Sequence, residues 1–164
     1  MATAHGTTTL RALPLNLVTG AAAGVVAGLP LGIIMQVRDA DPKMMPGITM
    51  IDQVGDLISD PSTGLGWLIH LFNSALFAAI FVLLFSRFLT QRGPAIVLGL
   101  LYGAAWWVVG ALWIMPAWLG MDEMVFEVGA NQWWSLVGHL IYGLLLAVGY
   151  MMARRALSST PSNK

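Results

Sequence analysis

The sequence predicts an all-α polytopic membrane protein: four transmembrane helices forming two repeated hairpins, with both termini on the cytoplasmic side. Three observations carry this reading. Charge is scarce, four long runs contain no charge at all, and the basic residues fall on one side of those runs. Hydrophobic residues make up 57% of the chain and charged residues 10%, with mean hydropathy +0.75. A soluble domain carries about 25% charged residues, so this chain has too few to clothe a water-facing surface. Lipid removes that requirement. At 164 residues the chain is one membrane domain, 1–164, with no linker dividing it.

The apolar runs are Leu17–Gln36, Leu65–Ser86, Ala95–Trp118 and Trp133–Ala153, and none holds an Asp, Glu, Lys or Arg. Each reaches the roughly 20 residues a helix needs to cross a bilayer. The first is rich in Gly and Ala and superficially resembles a signal peptide. A single Arg11 precedes it, it outruns an ordinary h-region, and a companion span follows, so it reads as a retained helix.

Charge sets the orientation. Arg11, Arg87, Arg92, Arg154, Arg155 and Lys164 lie in the N-terminal tail, the second loop and the C-terminal tail, which contain no acidic residue. All the carboxylates, Asp39 through Glu127, lie in the first and third loops beside only Arg38 and Lys43. Six basic residues against two place both termini inside. Trp67, Trp118, Trp133 and Trp134 then fall at the outer ends of the spans, where an amphipathic ring favours the headgroup level.

In the long first loop, Ile48, Ile51, Val54, Leu57 and Ile58 recur at helical spacing. They predict a short amphipathic helix over 48–59, between Pro46 and Pro61, on the outer surface or capping the bundle. Gly20, Gly24, Gly28 and Gly32 stand four apart in the first span, and Gly99 and Gly103 share that spacing in the third. With Trp67-Leu-Ile-His70-Leu and Trp134-Ser-Leu-Val-Gly-His139-Leu following in turn, the halves read as a parallel repeat. Stripes of this kind let helices approach closely, and the first and third spans are expected to pack together through them.

The candidate site is the pair His70 and His139, at matched positions of the second and fourth spans, one to two turns below the outer interface. Asn73 and Tyr142 follow three residues later, on the same helix faces. Polar residues inside a span mark a functional site by default, although a neutral histidine also serves as plain packing by hydrogen-bonding a neighbouring helix. Three functional readings fit the pair. Both imidazoles can ligate a haem b iron from opposite sides, with Trp106 or Trp107 packing on the porphyrin. They can hold a soft metal such as Cu(I), aided by Met35, Met44, Met45, Met50, Met115, Met121 and Met124 near the outer end. They can form an outward-facing proton-sensing site. Trp106 and Trp107 also have a plainer role as core packing.

Other classes are excluded or unsupported. The absence of cysteine rules out disulfides, zinc-thiolate sites and a Cys nucleophile. No basic cluster beyond Arg154 and Arg155 suits nucleic acid. No phosphate-binding glycine loop, Gly-x-Ser-x-Gly elbow or His-Glu-x-x-His motif occurs. Asp122, Glu123 and Glu127 read as a solvated rim, with cation binding as the sharper alternative. No ring of charge lines a span, which leaves a solute pathway through an oligomer as the third choice.

The segments Leu101-Tyr-Gly-Ala-Ala-Trp-Trp-Val-Val-Gly110-Ala-Leu-Trp-Ile-Met-Pro116, Gly138-His-Leu-Ile-Tyr-Gly143 and Gly66-Trp-Leu-Ile-His-Leu71 resemble uncharacterised bacterial and archaeal four-helix membrane proteins. These are loosely similar to the YagU-type inner-membrane proteins. The resemblance runs from about Gly20 to Tyr150. It implies a four-helix fold in the cell membrane, no established reaction, and a distant link to acid tolerance. It carries over no catalytic residue.

Two classes of function follow. One is a non-enzymatic multi-pass protein, an accessory subunit or an envelope or acid-stress factor, whose partners are the bilayer and another membrane protein or a second copy. The other is a haem b or metal-binding membrane protein with His70 and His139 as ligands.

Overall fold

The structure, a computed structural model, describes residues 6–40 and 45–159. The described residues are mostly helical, with α1 Gly6–Gln36, α2 Met50–Gly55, α3 Thr63–Phe85, α4 Arg92–Trp106, α5 Met115–Trp118 and α6 Ala130–Ser159. A π-helical segment, Trp107–Ile114, joins α4 to α5, and short 3₁₀ turns occupy Ser86–Phe88 and Asp122–Met124. Four stretches are long and apolar enough to cross a membrane: Leu15–Gln36, Thr63–Phe88, Arg92–Trp118 and Ala130–Leu157. They contain the four apolar runs of the sequence and extend them by a few residues, because helical hydrogen bonding continues into the flanking polar positions.

Large apolar side chains, among them Val26, Leu68, Phe72, Leu101 and Met152, point outward, whereas His70, Ser74 and Ser135 are buried. The exterior is thus greasier than parts of the interior. That is the arrangement for a lipid solvent, which does not reward burial of apolar surface but penalises unpaired polar groups.

α1 packs against both α3 and α6, and α4 packs against α6. The glycine stripes act within each hairpin, not between the first and third spans as their shared spacing suggests. A Cβ on Gly24 would strike Ala78 and the Ser74 carbonyl of α3, and one on Gly103 would strike the His139 carbonyl of α6. Gly99 and Gly143 face each other so closely that a Cβ on either would meet the other's backbone. Each stripe is therefore spent on the second helix of its own hairpin, where close approach of backbones gives the dispersion contacts that hold helices in lipid.

α3 and α4 are joined by aromatic side chains. Phe77 stacks on Trp106 with centroids 3.7 Å apart, and the Tyr102 hydroxyl donates to the Phe77 carbonyl over 2.7 Å. Phe81, Tyr142, Leu146 and Tyr150 continue this core toward the other end of the helices.

The first loop folds back over the end of the helices that carries the histidines. α2 is shorter than the 48–59 stretch of helical spacing. Thr49 begins it with a capping box, its hydroxyl and N–H on the Asp52 carboxylate at 2.6 and 3.0 Å. Gly55 closes it, lying against Ser62 and Gly66 where a side chain would not fit. Ile51 and Val54 are buried against Leu31, Met35 and Trp67, so α2 caps the helices with its apolar face.

Candidate functional site

A half-open cavity of about 850 Å³ lies beneath this cap, with both histidines in its wall. The π-helical segment explains much of the space. Pro116 has no N–H, and the Met115 N–H reaches back five residues to the Gly110 carbonyl instead of four. The carbonyl of Leu112, which Pro116 would otherwise satisfy, accepts instead from Phe126 N–H at 2.8 Å. The widened turn presents Gly110 and Ala111 to the cavity, and their small side chains leave it unfilled.

The two histidines are held in a parallel way. His70, buried on α3, donates Nε2–H to the Gly28 carbonyl of α1 over 2.9 Å. His139, half-buried on α6, donates Nδ1–H to the Ser135 carbonyl over 2.8 Å. A carbonyl only accepts, so these bonds fix the tautomers. In the neutral rings the remaining nitrogens, His70 Nδ1 and His139 Nε2, carry no proton, and neither has a protein partner among the described residues. Trp67 meets the His70 ring edge-on at 6.0 Å and is itself tied to Gln36 by its indole N–H.

The other sequence candidates divide. Asn73 lines the cavity, and its side-chain amide makes no hydrogen bond among the described residues. Tyr142 also lines it, but its hydroxyl is committed to the Ser74 carbonyl at 2.7 Å. Trp106 forms part of the wall, backed by Phe77. Trp107 turns toward α6, where its indole donates to the Gln132 carbonyl at 2.9 Å and its ring stacks on Trp133. Met35, Met50, Met115, Met121 and Met124 contribute to the lining, and Met44 lies outside the described residues. No group of three or more His, Cys, Asp or Glu side chains clusters among the described residues. A metal here would therefore need ligands beyond the histidine pair.

Two contributors at the rim escape a reading from spacing. Arg38 lines the cavity directly after α1, its guanidinium 5.4 Å above the Trp134 ring. Asn131 ties the loop to α6 by donating to the carbonyls of Asp39 and Ala40 at 2.9 and 3.2 Å. The one available signal for Arg38 was a base immediately after a span on the acidic side. Asn131 carried none.

The fold and the cavity define an all-helical protein with four membrane-length apolar helices and, at one end of them, a mostly apolar pocket carrying a few polar groups. The chain belongs to DUF6789, a family of unknown function, which it matches over residues 15–160. No curated protein and no solved structure matches it.

Proposed function

We propose that this is a multi-pass protein of the cell membrane, termini cytoplasmic, that holds a small amphipathic molecule in an outward-opening cavity. It acts as a non-enzymatic accessory or envelope-stress factor. The observation that carries this reading is the cavity itself. Two imidazoles each offer an unprotonated nitrogen and Asn73 offers a spare amide, within walls that are otherwise mostly apolar. A volume of about 850 Å³ suits a small-molecule ligand. The orientation rests on the six-to-two split of basic residues. The repeat is supported by Gly28 and Gly103, each packed on the histidine of its own hairpin.

Catalysis finds little support in the same groups. Ser135 Oγ lies 3.4 Å from His139 Nδ1, but that nitrogen already donates to the Ser135 carbonyl and cannot serve the hydroxyl as a base. Ser74 Oγ is turned onto the His70 carbonyl at 2.8 Å.

A second reading, haem b or a metal ion at His70 and His139, is favoured by one specific feature. Each ring donates one N–H to a backbone carbonyl, as metal-bound histidines do. Native mass spectrometry of protein extracted in mild detergent, with an absorption spectrum before and after dithionite, separates the two. A retained organic molecule with no Soret band supports the amphipathic ligand. A Soret band lost in His70→Ala and His139→Ala supports haem. An empty, colourless protein that binds no added amphiphile refutes both.

A further inference from the structure

We infer that the ligand of this cavity is a single-chain amphiphile with an anionic headgroup, a carboxylate or phosphate ester, and that Arg38 holds that headgroup at the rim. The inference rests on the cavity reading above and adds the charge of the ligand to it.

Among the described residues, Arg38 is a cation without an anion. A guanidinium has five N–H donors, and only one, on Nη2, finds a protein acceptor among the described residues: Asn131 Oδ1 at a long 3.5 Å. Nε is buried with no hydrogen-bond partner among the described residues. No carboxylate pairs with the group among the described residues, although this end of the molecule holds the acidic loops. Asp52, the buried cap's own acid, is occupied by Thr49 and Thr63. Removing a charged donor from water without a partner is costly, and an anion is the partner that removes the cost. Arginine's planar fork suits a carboxylate or phosphate in bidentate contact.

The guanidinium is also pre-positioned, which lowers the ordering cost of binding. Its own carbonyl accepts from Met50 N–H at 2.8 Å, and Ala40 N–H donates to Ile48 at 2.7 Å. Asn131 clamps the next two carbonyls to α6, and Trp134 supports the guanidinium plane. Beyond Arg38 the wall turns apolar through Leu31, Val54, Leu57 and Ile114, which suits an alkyl chain. Charge at the rim and hydrocarbon behind it describe an amphiphilic anion.

The test is calorimetric titration of the full chain in neutral phosphatidylcholine nanodiscs, against empty discs, with octanoate, octyl phosphate and octanol. Wild type should bind the better anion at least tenfold more tightly than octanol. In Arg38→Gln that preference should fall below twofold, with an unchanged melting temperature in the same nanodiscs reporting an intact fold. Arg38→Lys should recover part of it. Equal binding of anion and alcohol by wild type would overturn the anionic assignment and leave the cavity reading standing. Binding of neither overturns both. A preference for octyl phosphate, with phospholipid co-purifying from wild type but not from Arg38→Gln, identifies the bilayer as the source. A preference for octanoate identifies a free acid.

Discussion

Tyr142 on α6 donates its hydroxyl to the carbonyl of Ser74 on α3 over 2.7 Å. Ser74 Oγ in turn donates to the His70 carbonyl, one turn back along α3, at 2.8 Å. His139 lies three residues before Tyr142 on α6. The Tyr142 bond therefore ties together the two helices that carry the histidines, while α1 packs on both.

Tyr142→Phe removes this cross-link without changing shape. The Ser74 carbonyl keeps its place in the helical ladder, so the expected loss is that of one interhelical hydrogen bond, about 1 kcal/mol. Reversible unfolding in mixed micelles would measure it. An unaltered midpoint would mean that the hydroxyl does not join the helices.

Gly143 and Gly99 offer a sharper probe of packing. Gly143→Ala inserts a Cβ into the Gly99 backbone, and neither main chain can move aside cheaply. A destabilisation of about 1–3 kcal/mol is expected from overpacking. At Gly64 a Cβ meets nothing within 4 Å, so Gly64→Ala should stay within about 0.5 kcal/mol of wild type. Alanine favours helix over glycine, so an equal loss in both variants would contradict a clash specific to the α4–α6 contact.

Those glycines also show where the sequence was legible and where it was not. The four helices could be read from the uncharged runs, because lipid leaves no alternative to a continuous helix for twenty apolar residues. The close-approach stripes could be read from spacing, but not their partners. Gly24 and Gly103 carry no mark that says α3 or α6, since the choice depends on how each helix is rotated. His70, His139 and Asn73 could be picked out because polar side chains are rare in such runs. Trp107 could not be separated from Trp106, because the π-helical turn begins between them and alters their angular offset. Arg38 needed the folded-back loop before its lack of an anionic partner among the described residues was visible.

Asp52 makes the capping helix sensitive to acid. Hydrogen bonds from the Thr49 side chain, then Thr63, hold its carboxyl below the ordinary value of 3.8. A depressed folded-state value means the carboxylate's contribution is complete above the unfolded value, near pH 4. It is lost as pH falls through the lower folded value. Proteolysis of the first loop should therefore accelerate below about pH 4 in wild type. In Asp52→Asn it should be faster at neutral pH and show less dependence on acid. A wild-type loop equally resistant at both pH values would contradict this.

Pro116 shapes the cavity wall by leaving the Leu112 carbonyl to Phe126, a non-glycine residue at φ 59°. Pro116→Ala supplies an N–H that competes for that carbonyl. Losing about 1 kcal/mol from the Phe126 bond corresponds to roughly fivefold faster amide exchange there. Global stability should hold or rise, since alanine favours helix. Unchanged exchange at Phe126 would show that its seat does not depend on the missing donor.

Asn73 separates binding from folding more cleanly than either histidine. His70→Ala removes an imidazole from the cavity wall, but it also breaks the bond to Gly28 that joins α3 to α1, so any loss of binding and the loss of packing arrive together. The Asn73 amide has no such duty among the described residues, and its side chain lines the same cavity. Asn73→Leu keeps the volume and deletes only the polar atoms. Its melting temperature in detergent should match or exceed wild type, because an unpaired amide leaves an apolar environment. Affinity for a bound amphiphile should fall about tenfold, the equivalent of one hydrogen bond of about 1.4 kcal/mol. A variant that melts early would assign Asn73 to the fold. One that melts normally and binds normally would remove the amide from the site and leave recognition to the imidazoles.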